Sequence, residues 1–301
     1  FDDNDGRAAV TDKYLIAQCF FAHSTDLMRR TATVLGKTAD ADYYRNRLER
    51  IKAAFRKEYM TANGKLVSGT QTAYTLALQF DMLPEELRQT AAVRLLENVK
   101  SYGYHLTTGF LGTPYLCHVL SRYGYADIAY RLLLQETYPS WLYPVKMGAT
   151  TIWERWDGIK PDSTFQVPSM NSFNHYAYGA IGDWMYRVAA GLDTREEAPG
   201  YQQLRIEPHT GGSFTHLEAR LNTNYGEAVS GWKISDHLLT LDISIPVNSS
   251  ALIYLPSADL PAITENGIPV SGHKDLTIQG TENGKTVVKA GSGQYHFEIK
   301  K

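Results

Sequence analysis

Apolar residues recur at helical spacing through the earlier part of the chain, then switch to alternation. Over residues 11–35 the positions Ile16, Phe20, Leu27, Thr31 and Val34 mark one helical face, with Thr11 as N-cap and Gly36 as stop. A second helix follows at once. It carries Tyr44, Leu48, Ile51 and Phe55 on one stripe with basic residues opposite, and ends near Asn63-Gly64. A third is predicted from Thr70 to Phe80. Pro84 stands in a first-turn position and opens a helix whose apolar face is Leu87, Ala91 and Leu95. Past a loop at Gly109-Phe110-Leu111-Gly112, Thr113-Pro114 starts a helix that ends at Gly124. Further helices are predicted from Tyr125 to Glu136 and from Asn174 to Gly191.

Helix after helix with no strand between them implies a bundle, a solenoid or a helical toroid. No fixed-period repeat is present, which counts against a solenoid. Aromatic-rich loops after every second helix suit a barrel of helical hairpins with its site at one end. At Pro199-Gly200 the period changes. Leu204-Arg205-Ile206, Leu217 to Leu221, Val229 to Ile234, Leu239 to Ile245, Ala251 to Leu255, Thr286 to Val288 and Tyr295 to Ile299 alternate apolar and polar. Turn signals lie between them at Asn224-Tyr225-Gly226, Asn266-Gly267 and Asn283-Gly284. These strands predict an antiparallel β-sandwich of about 100 residues. The expected domains are therefore a helical one, 1–198, and a β-sandwich, 199–301.

Composition narrows the chemistry. The 301 residues are 43 % hydrophobic and 21 % charged, an ordinary globular balance, and the net charge of −2 argues against a nucleic-acid or anionic-membrane partner. No apolar run is long enough to span a bilayer. Cys19 and Cys117 sit far apart in apolar helical contexts and read as two buried thiols rather than a disulfide. No metal-ligand spacing, calcium loop or phosphate-binding glycine pattern is visible, so neither metal nor cofactor is expected. The chain opens on Phe1-Asp2-Asp3-Asn4-Asp5-Gly6 without a Met, which reads as the inside of a longer polypeptide.

The candidate chemistry lies between residues 136 and 184. Tyr138, Pro139, Trp141, Tyr143 and Pro144 precede Thr150-Thr151-Ile152-Trp153-Glu154-Arg155-Trp156-Asp157-Gly158, and Ser172-Phe173-Asn174-His175-Tyr176 follows, opening the last helix. Indole and phenol rings beside a carboxylate and an imidazole suit an apolar, ring-stacking pocket with a few orienting polar groups. A sugar fits such a pocket, with its C–H face on indole and its hydroxyls on Glu154 and His175. Trp141, Trp153 and Trp156 are each expected to be partly core, with at least one lining the site. Plainer readings are a Glu154–Arg155 ion pair at a helix end and a His175 bonded to backbone. Trp184 reads as packing, and His105 could approach the pocket.

The runs Gly112-Thr113-Pro114-Tyr115-Leu116, Pro139-Ser140-Trp141-Leu142-Tyr143-Pro144 and Gly148 to Gly158 resemble bacterial α-L-rhamnosidases of glycoside hydrolase family 78. Ser172 to Tyr176, Gly179 and Gly182-Asp183-Trp184 continue the likeness, and Gly200-Tyr201 through Arg205-Ile206-Glu207-Pro208 resembles the start of that family's C-terminal β domain. The likeness covers nearly the whole chain, and Thr-Ile-Trp-Glu-Arg-Trp-Asp-Gly is its most specific run. It implies an (α/α)6 barrel, here in its C-terminal portion, followed by a β-sandwich. It implies removal of terminal non-reducing α-L-rhamnose with inversion, from rhamnose-containing glycosides or polysaccharides. Glu154 would be the general base and His175 a rhamnose contact, with Asn174, Trp153, Trp156 and Trp141 as further substrate-binding residues.

The same resemblance places the general acid in an acidic motif upstream of this chain. It makes the N-terminal domains and first barrel helices of the same polypeptide the missing partners. The acidic cluster Asp2, Asp3 and Asp5 reads as a solvated loop. The fragment alone is then expected to be inactive, with exposed apolar helix faces that make it poorly soluble or oligomeric. A bacterial, periplasmic or secreted location is preferred over a cytoplasmic one. One rival reading is another helical-barrel glycosidase, phosphorylase or lyase, although no convergent basic residues mark a phosphate pocket. The other is a non-catalytic sugar-binding fragment, although the sandwich offers only Tyr225 and Trp232 as an aromatic platform.

Overall fold

The computed structural model describes residues 9–300, so Asp2, Asp3 and Asp5 lie outside the described residues. Contacts divide the chain into two compact units, one up to Ile181 and one from Gly182.

The first unit is helical: α1 (Lys13–Val34), α2 (Thr38–Tyr59), α3 (Gln71–Gln79), α4 (Glu85–Ser101), α5 (Thr113–Arg122), α6 (Ala126–Leu133) and the short α7 (Leu142–Lys146). Packing pairs α1 with α2, α3 with α4 and α5 with α6, while α3 also touches α1 and α5. The first helices of three hairpins thus stand side by side as an inner row, the arrangement expected of a hairpin barrel. At the middle of the row, α3 is buried from Gln71 to Leu78. Its buried Gln71 amide is satisfied by backbone: Nε2 donates to His105 O (3.0 Å) and Oε1 accepts from Thr107 N–H (3.0 Å).

Two details of α1 differ from the sequence reading. Asp12, not Thr11, caps the helix, accepting from the N–H groups of Tyr14 and Leu15. The Thr11 hydroxyl instead meets Thr70 Oγ1 at 2.6 Å, and Thr70 caps α3 by accepting from Ala73 N–H. The buried stripe is Leu15, Cys19, Ala22, Thr25 and Ala32, whereas Leu27 is 45 % and Val34 86 % exposed. Apolar residues surround this helix, so periodicity alone leaves its inward face open by one residue, about 100° of rotation. Tyr14, Phe21 and Met28 stay exposed, and an open groove of about 820 Å³ runs between α1 and α2.

The last expected helix, 174–191, also differs. Residues 172–176 are not helical, because their backbone pairs with the loop around Glu154. A 3₁₀ turn (Ala177–Ala180), a short α segment (Ile181–Trp184) and a π turn (Met185–Ala189) follow. By packing, residues 182–198 go with the sheets. Trp232 Nε1–H donates to Ala189 O (2.9 Å), and the Ser230 hydroxyl donates to Ala190 O (2.6 Å).

In the second unit two sheets enclose one apolar core. The strands are β1 (Leu192–Thr194), β2 (Gln203–Ile206), β3 (His216–Thr223), β4 (Gly226–Ser235), β5 (Leu238–Ile245) and β6 (Ser250–Leu255). They continue with β7 (Ile263–Glu265), β8 (Ile268–Pro269), β9 (Leu276–Glu282), β10 (Lys285–Ala290) and β11 (Gly293–Lys300). One sheet has the order β1-β2-β6-β10-β9, the other β3-β4-β5-β11-β7-β8. Leu204, Ile253 and Val288 of the first sheet pack with Trp232, Leu241 and Phe297 of the second. Pairing is antiparallel except between β2 and β6, which run parallel in the register Leu204↔Ala251. The β7–β8 and β9–β10 hairpins turn through Asn266-Gly267 and Asn283-Gly284, all four residues at positive φ, as a type I′ turn requires.

Strands β1, β7, β8 and β9 escaped the sequence pattern. The first three are two or three residues long, and β9 is an edge strand exposed after Leu276, so no alternation marks it.

Candidate active site

Two stretches of loop in the helical unit build the site by pairing with each other. His175 N–H donates to Ile152 O, and Glu154 N–H to Ser172 O, both at 2.8 Å. The Thr151 hydroxyl donates to Phe173 O, and the Asn171 side-chain amide donates to Gly158 O at 3.0 Å. The segments 151–158 and 171–175 therefore run antiparallel, and Glu154 and His175 are presented by the same ladder. The Glu154 side chain closes the pairing: its Oε2 accepts from Ser172 N–H at 2.8 Å.

Glu154 stands in the wall of a cavity of about 220 Å³, together with Arg155, Trp156, Asp157, Phe110 and Tyr178. That volume is below the usual range for drug-sized ligands and on the scale of one monosaccharide. Trp156 supplies the flat apolar surface. It is stacked on Tyr178 (centroids 3.7 Å apart, 17° between planes), and its Nε1–H donates to Thr108 O at 3.2 Å. Its ring is thus fixed on two sides. Burial pushes the hydroxyls of Tyr138 and Tyr178 up to about 12, so both remain protonated donors at neutral pH.

The other expected site residues are spread around this cavity. Trp141 and Trp153 are buried and line a smaller pocket of about 40 Å³, which shares Arg155, Trp156 and Tyr178 with the first. Trp141 is edge-on to Trp156 (5.6 Å, 87°), and its Nε1–H donates to Tyr178 O at 2.9 Å. Trp153 is edge-on to Phe173 (5.0 Å, 86°). Trp141 thus braces Trp156, Trp153 packs on the facing loop, and neither lines the cavity beside Glu154. His175 lies parallel to Phe110 (4.8 Å, 8°), a cavity residue, and to Tyr176 (5.6 Å, 10°). Its Nδ1 accepts from Ala177 N–H at 3.3 Å, which leaves the proton of the neutral ring on Nε2. Asn174 is exposed, and its backbone N–H donates to Ser172 Oγ. His105 is held elsewhere, between Tyr102 O (2.9 Å) and Thr137 Oγ1 (2.8 Å).

Sequence reasoning overlooked Asp157 and Phe110 as cavity residues, and paired Arg155 only with its neighbour Glu154. Arg155 in fact bonds Asp157, two residues on, with Nε–H donating to Oδ1 at 3.2 Å. A charge alternation Glu-Arg-x-Asp inside the aromatic run was the available signal. Phe110 carried none, because it comes from the distant Gly109-Phe110 loop. Among the described residues, no group of three or more His, Cys, Asp or Glu side chains converges as a metal site.

Comparison with known proteins is consistent over both units. An α-L-rhamnosidase of Streptomyces avermitilis is 43 % identical over 292 residues, covering 96 % of this chain and 27 % of that protein. An α-L-rhamnosidase of Formosa agariphila is 40 % identical over 302 residues, covering all of this chain and 32 % of its own length. The crystal structure of the Streptomyces avermitilis α-L-rhamnosidase complexed with L-rhamnose superposes with a TM-score of 0.90 at 42 % identity, covering 97 % of this chain and 27 % of that one. The chain thus spans about a third or less of the length of these relatives. Residues 2–189 match the bacterial alpha-L-rhamnosidase six-hairpin glycosidase domain and residues 191–267 the bacterial alpha-L-rhamnosidase C-terminal domain: the chain belongs to the bacterial α-L-rhamnosidase family.

Proposed function

We propose that this chain carries the water-activating part of an inverting α-L-rhamnosidase, with Glu154 as general base. The observation that carries the reading is the Glu154 carboxylate in the cavity wall with one oxygen pinned by Ser172 N–H. Among the described residues no donor reaches Oε1, which is left to accept a proton from water. Inversion requires that water between the base and the anomeric carbon, with the acid on the far side of the sugar, about 6.5–9.5 Å from the base. Asp157 is a poor choice for that acid. Both of its oxygens already accept from protein donors, Arg155 and Gln166, so neither is free to face a leaving oxygen. The acid is assigned to polypeptide beyond the described residues, in keeping with the share of the relatives' length that this chain spans.

L-rhamnose as the sugar is supported by its presence in the complex with the Streptomyces relative. Trp156 would carry its C–H face. His175, through Nε2–H, would donate to a hydroxyl, while Trp141 holds Trp156 in place and Trp153 anchors the loop on Phe173. Asn174 is kept as a contact at the exposed rim. No cofactor is needed for this chemistry.

The test is release of nitrophenol from p-nitrophenyl α-L-rhamnopyranoside by the full-length parent and by Glu154→Gln. Loss of a general base costs on the order of 10²–10⁴ in rate. Full activity in a folded variant removes Glu154 from the mechanism. A folded parent that cleaves another glycoside and no rhamnoside discards the substrate.

A further inference from the structure

Arg155 and Asp157 take no part in the proton transfer assigned to Glu154, yet both line its cavity. Arg155 Nε–H donates to Asp157 Oδ1 at 3.2 Å, and the Gln166 side-chain amide donates to Asp157 Oδ2 at 2.5 Å. The Asp157 side chain is only 14 % exposed, so the carboxylate is clamped between two donors in a largely dry place. A carboxylate held this way fixes the plane of the guanidinium. Among the described residues, no acceptor meets the four Nη hydrogens of Arg155. A guanidinium in a cavity wall with its fork unfilled is built to be completed by acceptor oxygens of a ligand.

The charges say which acceptors. Glu154 and Asp157 contribute two negative charges around the one positive charge of Arg155, so the wall is net negative and repels an anion. Neutral hydroxyl oxygens remain, and the fork of a guanidinium suits two adjacent ones.

We infer that Arg155 is a substrate-binding residue that donates from its Nη groups to neighbouring hydroxyls of a neutral sugar, and that Asp157, backed by Gln166, is a positioning residue acting through it. This rests on the function proposed above and names the contact that holds the sugar against the base.

A double-mutant cycle on the full-length parent tests it, with Arg155→Gln, Asp157→Asn and the pair, assayed on an aryl α-L-rhamnoside. Losing a charge-assisted contact made equally in ground and transition states raises KM with little change in kcat. For Arg155→Gln the rise should be about 10- to 100-fold. Asp157→Asn should raise KM less, and the double variant should be no worse than Arg155→Gln alone, because one residue acts through the other. Arg155→Lys keeps the charge without the fork and should recover only part of the loss. Unchanged KM in Arg155→Gln overturns the proposal, and so do losses that add in the double variant. Should Asp157→Asn fail to fold, Gln166→Met loosens the same carboxylate from behind and takes its place. A folded parent that cleaves another glycoside and no rhamnoside discards L-rhamnose as the sugar instead, and the same cycle is then read from KM on the glycoside that the parent does cleave.

Discussion

Glu154 and Ser172 hold each other twice. The Glu154 N–H donates to the Ser172 carbonyl, and the Ser172 N–H donates to Glu154 Oε2, each at 2.8 Å. The direction of the carboxylate is therefore set by backbone on the facing loop, with no side chain of residue 172 involved. That reciprocity gives the carboxylate of the proposed base a fixed position.

Glu154→Asp should expose how much this placement matters. The carboxylate survives, but one methylene fewer takes it out of reach of Ser172 N–H. A displacement of about 1 Å costs on the order of 10²-fold in rate. Turnover of an aryl rhamnoside by the full-length variant measures this, and wild-type kcat would mean that the clamp is incidental.

The sheet unit should weaken in acid. Burial alone would push Glu207 up, but Lys285 (2.8 Å) and Arg205 both donate to it and hold it below the ordinary glutamate value of 4.5. Its contribution is present above pH 4.5 and is lost as the pH falls through the depressed folded value. Burial, then Lys285, push His209 below its ordinary 6.5. The unfolded chain therefore gains that proton first, and stability begins to fall as the pH drops below 6.5. Melting temperatures should decline from pH 6.5 downward and more steeply below 4.5. Glu207→Gln should flatten the lower limb, and an unchanged limb would assign it to other groups.

Much of this architecture is legible in the sequence, for a physical reason. Strands such as Leu239 to Ile245 alternate because one face meets the core, and β2, β5 and β11 carry that signature, whereas β4 buries five residues in succession. Short or edge strands bury too few residues to write it, which is why Ile263–Glu265 and Leu276–Glu282 passed unseen. At the candidate site, the aromatic run around Glu154 marked a loop that lines the cavity. What it could not mark was direction: Trp153 and Trp156 are three residues apart, yet Trp156 faces the cavity and Trp153 packs on Phe173. Irregular backbone has no period from which to read a face. The 172–176 segment misled for a related reason, since its N–H and C=O groups are claimed by Ile152 and Glu154 before a helix can use them.

Cys19 and Cys117 should be inert in the folded protein. Both are free, buried thiols, and burial pushes each up to about 12. At pH 8 the thiolate fraction is then about 10⁻⁴, and the thiolate is the reactive form. Iodoacetamide at pH 8 should label neither until denaturant is added, as read by intact mass. Rapid labelling of either would contradict its burial.

Gly191 should tolerate no side chain. Its φ is +71°, and a Cβ there would lie 2.1 Å from Pro208 N and 2.2 Å from the Glu207 carbonyl carbon. Left-handed backbone and overpacking together cost roughly 2–5 kcal/mol. Gly191→Ala should lower the melting temperature sharply, while Gly272→Ala, with nothing within 4 Å, should leave it nearly unchanged. Equal behaviour of the two would remove the steric argument.

The parallel pairing of β2 with β6 carries a consequence for how this unit is born. Leu204 waits for Ala251, a separation of 47 residues (251 − 204), while β3, β4 and β5 meet their partners through short connections. During synthesis the β3-β4-β5 meander can close while β2 still has no neighbour on its β6 side. On that side β2 is thus left open until residues 250–255 have been delivered, and β6 acts as the late bolt that joins early chain to late chain.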